Sequence, residues 1–119
     1  MKTRKELKNI YKEKQSQMGV FQIKNITNGK LLVGSSLDLN AIWNRTKAEL
    51  KFGTHANKIL QKDWNELGEK RFVFEILAEL ERDDTRWREY RKEAKELETM
   101  FIKELEPFDE KGYNFKAGK

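Results

Sequence analysis

The sequence predicts a small α+β domain: a mixed or antiparallel sheet of three strands, flanked by helices and preceded by a basic N-terminal helix. Three observations predict it. Residues 18–24 and 30–35 are short β-type runs on either side of an Asn28-Gly29 pair, the signature of a hairpin. Residues 72–80, FVFEILAEL, form a third run rich in apolar and aromatic side chains. The remaining segments place apolar residues three and four apart, the spacing of one helix face.

Each element has a local reason. Leu7, Ile10 and Tyr11 give residues 3–14 a short amphipathic helix. In residues 18–24, Val20, Gln22 and Lys24 alternate with Phe21 and Ile23, and KLLVGS at 30–35 is the return strand. Ser36 or Asp38 can cap a helix running to about Lys51, with Leu39, Ile42, Trp43 and Leu50 on its stripe and Thr46 inside it. Gly53 ends that helix. Thr54 can cap the next, which is expected to bury Ile59, Leu60, Trp64 and Leu67 and to close at Gly68. The third strand is expected to turn Phe72, Phe74, Ile76 and Ala78, or their alternates, inward. A long helix starts near Thr85, after Asp83 and Asp84, and stops at Pro107. Its apolar face is Trp87, Tyr90, Ala94, Leu97, Phe101 and Leu105, and Glu98 points into it. The ending, GYNFKAGK, reads as a loop with a short last strand.

Composition narrows the class. With 119 residues, 37% hydrophobic and 38% charged, one domain with a modest core under a charged surface is expected. No cysteine is present, which excludes disulfides and thiolate metal sites. No apolar run approaches the roughly 20 residues of a membrane span, and the basic N-terminus lacks the apolar centre of a signal peptide. A cytoplasmic protein with no membrane association is the expectation. The net charge of +5 is uneven: residues 1–14 carry six Lys/Arg against two Glu. The chain thus divides into a basic helical arm, 1–17, and a domain, 18–119. The arm's Lys2, Arg4, Lys5 and Lys8 can neutralise phosphates and release counterions, or can simply be solvated.

A set of short motifs runs through the domain in order. Gly19-Val20-Phe21 comes first, then Leu32-Val33-Gly34-Ser35-Ser36, Leu39 and Trp43. Gly53, His55, Asn57, Leu60-Gln61 and Trp64-Asn65 follow, then Gly68-Glu69 and Phe74-Glu75-Ile76-Leu77. Glu98 stands four residues before Ile102, and Gly112-Tyr113-Asn114 closes the series. This order resembles the GIY-YIG endonuclease domain, over about residues 18–115. Members of that family look like single-metal phosphodiesterases. The resemblance implies a tyrosine on each hairpin strand, an arginine and a histidine on the first helix, a metal-binding glutamate on the long helix and an asparagine near the end.

Carried over to this sequence, the resemblance keeps Glu98 as the position for a magnesium ion, together with Asn114 and His55. The tyrosine positions hold Phe21 and Leu32, the arginine position Ile42 and the helix histidine position Thr46. Leucine and isoleucine supply no donor or charge, phenylalanine lacks the hydroxyl, and threonine does not titrate near neutral pH. The implied function is a nucleic-acid-binding module, with DNA the expected polymer, impaired in standard cleavage. Arg45, Lys47 and His55 join the arm as candidate phosphate contacts. One alternative is an active metal-dependent DNA endonuclease with a non-standard site around Glu98 and His55. Another is a protein-interaction module using the apolar former cleft. The plainer readings are a salt bridge from Glu98 to Arg91 or Lys95, a capping role for His55, a solvated Arg45, and core packing for Trp43, Trp64 and Trp87.

Overall fold

The computed structural model describes residues 17–82 and 89–115. Two strands, β1 (Met18–Asn25) and β2 (Leu31–Ser36), form the hairpin. Two helices follow, α1 (Leu39–Phe52) and α2 (Lys58–Leu67), then β3 (Phe72–Leu80) and a long helix, α3 (Tyr90–Leu105). The sheet is antiparallel throughout, in the order β2-β1-β3. Fold class, strand count and hairpin agree with expectation. The basic arm, the start of the long helix near Thr85, and Trp87 lie outside the described residues. Among those described, no helix is long and apolar enough to cross a membrane.

The hairpin loop is wider than a two-residue turn. Lys24 pairs with Leu31 and the Asn25 amide donates to Lys30 O, so the loop spans Ile26 to Gly29, with Asn28-Gly29 on its descending side. Asn25 Oδ1 accepts from the Thr27 amide and Asn28 Oδ1 from the Lys30 amide, each side chain shaping the bend two residues on.

Pleating sorts β1 into two faces. Phe21 and Ile23 join Leu39, Leu50, Leu60, Trp64, Phe72 and Tyr113 in the main core, on the side of α1 and α2. Met18 and Val20 are buried too, and alternate with Phe21 and Ile23 along the strand. Between Val20 and Phe21 the pairing with β3 slips by one residue: Val20 faces Ala78, but Phe21 faces Ile76. This bulge corrects the expected single alternation of β3. Phe72 and Phe74 contribute to the core, whereas Ile76 is 42% exposed. Beside it, Gly19 has a φ of 156°, and a β-carbon there would fall 1.9 Å from the Ala78 carbonyl oxygen. Only glycine lets the two strands approach this closely.

Asp38, rather than Ser36, caps α1 by accepting from the Ala41 amide, while Ser36 Oγ accepts from the Asp38 amide. Gly53 closes α1 in the left-handed region, as expected. For α2 the cap is Asn57, not Thr54, and Ile59 and Leu67 are exposed rather than buried. A buried glutamine explains the difference. Gln61 bonds Leu50 O, Asn65 Oδ1 and the His55 amide, so the face of α2 turned to α1 carries Gln61 with Leu60 and Trp64.

Candidate functional site

The chain's end locks the hairpin to α2. Gly112–Asn114 runs along the free edge of β2, where the Tyr113 amide donates to Leu31 O. The Asn114 carboxamide accepts from Val33 N and donates to Val33 O, at 2.8 and 2.9 Å, so one side chain satisfies an edge residue as a strand would. The Tyr113 phenol donates to Asp63 at 2.6 Å and accepts from the fully buried Asn25 at 3.0 Å. Asn57 Nδ2 donates to Tyr113 O. Burial, and then the Asp63 hydrogen bond, push the Tyr113 phenol well above its usual range. None of these partners but Asn114 stood among the expected site residues. The Gly-Tyr-Asn motif was the signal that could have drawn attention to Tyr113.

The four positions that set the functional reading fall on or beside one apolar cluster. Phe21 is 6% exposed and stacks on Phe74, ring centroids 5.2 Å apart. Phe74 stacks in turn on Trp43, at 5.1 Å. Leu32 and Ile42 pack against the same core, each half-buried. Thr46, one turn beyond Ile42, is buried. These side chains present no cation and no titratable group.

Glu98 lies on α3 against β2. Its carboxylate accepts from Ser35 Oγ at 2.5 Å and pairs with Lys95 Nζ at 3.3 Å, and its side chain is 15% exposed. The expected ion-pair partner is therefore Lys95, not Arg91. Ser35 follows Gly34, the residue under the Phe21 ring, so the carboxylate and the apolar cluster border the same stretch of β2. Sequence reasoning quoted Ser35 within a motif but assigned it no role.

The remaining candidates are dispersed. His55 sits between α1 and α2, where its Nδ1 accepts from the Asn57 amide and its own amide donates to Gln61. An accepting Nδ1 puts the ring proton on Nε2. No described contact joins His55 to Glu98. Arg45 is 74% exposed and pairs with Glu49 one turn along α1. The Lys47 ammonium lies over the Trp43 ring, 5.2 Å from its centroid. Lys2, Arg4, Lys5 and Lys8 lie outside the described residues.

No family model matches the chain. Over 90 residues it is 38% identical to intron-associated endonuclease 1 of enterobacteria phage T4, a match that takes in 73% of this chain and 32% of that protein. The chain therefore spans about a third of that curated relative's length. The catalytic domain of the homing endonuclease I-TevI superposes with a TM-score of 0.69 at 33% identity, covering 84% of this chain and 99% of that domain. A mutant form of the same domain gives 0.70 at 31% identity, covering 87% and 97%. Strand order, helix placement and the ordered motifs thus define an endonuclease-type α+β domain. The chain belongs to the GIY-YIG endonuclease family.

Proposed function

We propose that this chain is a DNA-binding GIY-YIG domain that has lost the family's standard cleavage chemistry. The observation that carries this reading is the packing of Phe21, Leu32 and Ile42 against one apolar core, with Thr46 buried beside them. Phosphodiester cleavage needs a group to orient or deprotonate the nucleophile and a charge to stabilise the phosphate as it reacts. The family resemblance puts phenols, a guanidinium and an imidazole at these positions. Losing one such group commonly costs about 10²–10³ in rate. Losing all four leaves little, although contributions within one site do not add.

The donor set offers a magnesium ion a single protein carboxylate. Magnesium wants six oxygens and is usually held by one or two carboxylates, water and substrate phosphate. Glu98 brings one carboxylate, with Ser35 on one oxygen and Lys95 against the other. Among the described residues no three His, Cys, Asp or Glu side chains gather in a cluster. The Glu98 carboxylate also accepts from Ser35 and so ties α3 to β2.

DNA as the ligand is supported by the endonuclease relatives and by the net charge of +5, most of it in residues 1–14. Binding of this kind is weak, non-specific and steeply salt-dependent. The test is a nicking assay on plasmid DNA with magnesium or manganese, run beside a binding titration on the same DNA. The expected result is binding without nicking. Robust nicking that disappears with Glu98→Ala overturns the loss of chemistry, and absence of binding at low salt overturns the DNA reading.

A further inference from the structure

We propose that a groove between the end of β2 and the first turns of α3 holds the sugar-phosphate backbone of DNA, with Arg91 and Lys92 as its phosphate contacts. The proposal rests on the DNA-binding reading above and gives that binding a place on the molecule. The groove has a volume of about 940 Å³, large enough for a stretch of backbone rather than a single ion. Ser35 and Ser36 line one wall, and Arg91, Lys92 and Lys95 line the other.

The groove gathers three cations, Arg91, Lys92 and Lys95. Arg45, Lys51 and Lys95 each have a carboxylate partner on the protein. Among the described residues no ion pair engages Arg91 or Lys92, although both are exposed and line a concave surface. Among the described residues Glu89 is the one carboxylate in the lining. A concave wall with cations in excess focuses potential and favours a polyanion. The serine hydroxyls of the opposite wall already donate within the protein, Ser35 to Glu98 and Ser36 to the Asp38 carbonyl, so the cations carry the phosphate contacts.

The groove is also continuous with Glu98. Ser35 and Lys95 line it, and both are bonded to the Glu98 carboxylate. Lys95 is 72% exposed, so its ammonium can move to a phosphate at little cost. The groove thus runs a DNA strand along β2 beside Glu98, not over the apolar cluster of Phe21, Phe74 and Trp43.

The experiment is fluorescence anisotropy of the full chain with a short duplex DNA, repeated across a salt series. The double variant Arg91→Gln/Lys92→Gln is compared with Lys58→Gln/Lys62→Gln, which removes the same charge from α2. Two lost phosphate contacts should lower the salt slope by about two and the affinity by roughly tenfold or more at low salt. The α2 control should change both far less. Equal losses in the two variants overturn the groove, because charge alone would then explain them. An unchanged slope in the groove variant overturns it while leaving DNA binding intact. No binding by the unmodified protein removes both readings. Equal affinity for a polyglutamate peptide of matched charge assigns the groove to acidic proteins and overturns the DNA assignment.

Discussion

The tip of the Phe21 ring lies against the α-carbon of Gly34. A β-carbon at position 34 would stand 2.7 Å from Phe21 Cζ, closer than side chains approach one another. Gly34→Ala should therefore destabilise the domain by overpacking, by about 1–3 kcal/mol, measured by urea unfolding. In a Phe21→Leu background the same change should cost less. Equal costs in both backgrounds would show that the ring does not hold position 34 to glycine.

Restoring the four family groups tests how far the cleft has been absorbed. Phe21→Tyr, Leu32→Tyr, Ile42→Arg and Thr46→His would place two phenols, a guanidinium and an imidazole there. The main risk lies at position 46 rather than at position 42. Ile42 is half-buried, so an arginine stem can lie on the apolar surface with its head in water. Thr46 is buried, and a larger ring there should cost about 1–3 kcal/mol. We expect Thr46→His to lower the thermal midpoint more than Ile42→Arg does, with circular dichroism confirming the fold before nicking is scored. The reverse order would place the burden on the arginine.

Tyr113→Phe should cost about 1–3 kcal/mol, because it strands the buried Asn25 amide and removes the partner of Asp63. It should also flatten the alkaline limb of stability. The folded phenol is held above its usual value near 10, so at moderate pH it is neutral in both states. As pH rises past 10, the unfolded chain releases this proton first and stability falls. The unmodified protein should lose that increment above pH 10, and the phenylalanine variant should lack it. Parallel stability curves for the two would refute the coupling.

Asn114→Ala removes both bonds to Val33 at the edge of β2. Hydrogen exchange should then speed up at the Val33 amide more than at the Gln22 amide, which belongs to the central strand. Unchanged protection at Val33 would mean that the backbone pairing of Tyr113 with Leu31 holds the segment unaided.

The elements set by local chemistry were legible. The alternation in β1, the Asp38 cap and the Gly53 stop each depend on residues a few positions apart, and each appears as expected. What escaped was chosen over distance. Thr54 and Asn57 are both good caps by type, and the choice falls to Asn57, whose amide also reaches Tyr113 O. Gln61 is polar and gives no local sign of burial, yet its carboxamide has three partners across two helices and a loop. The bulge opposite Val20 leaves no mark in FVFEILAEL, since apolar residues stand on both faces of that run. At the site, the missing phenols and the missing guanidinium could be read directly. The pairing of Glu98 with Ser35 spans 63 residues and could not.

The Tyr113 hinge point has a consequence for the order of events during synthesis. Its phenol meets Asn25 across 88 residues and Asp63 across 50. Closing so long a loop costs entropy before any contact repays it. The hairpin and the first two helices therefore leave the ribosome with their shared polar groups still unmet. Until Gly112–Asn114 arrives, Asn25 and the outer edge of β2 remain open to water and to neighbouring chains. Gly112–Asn114 acts as the latch of the domain, and a stall just before it exposes a bare strand edge.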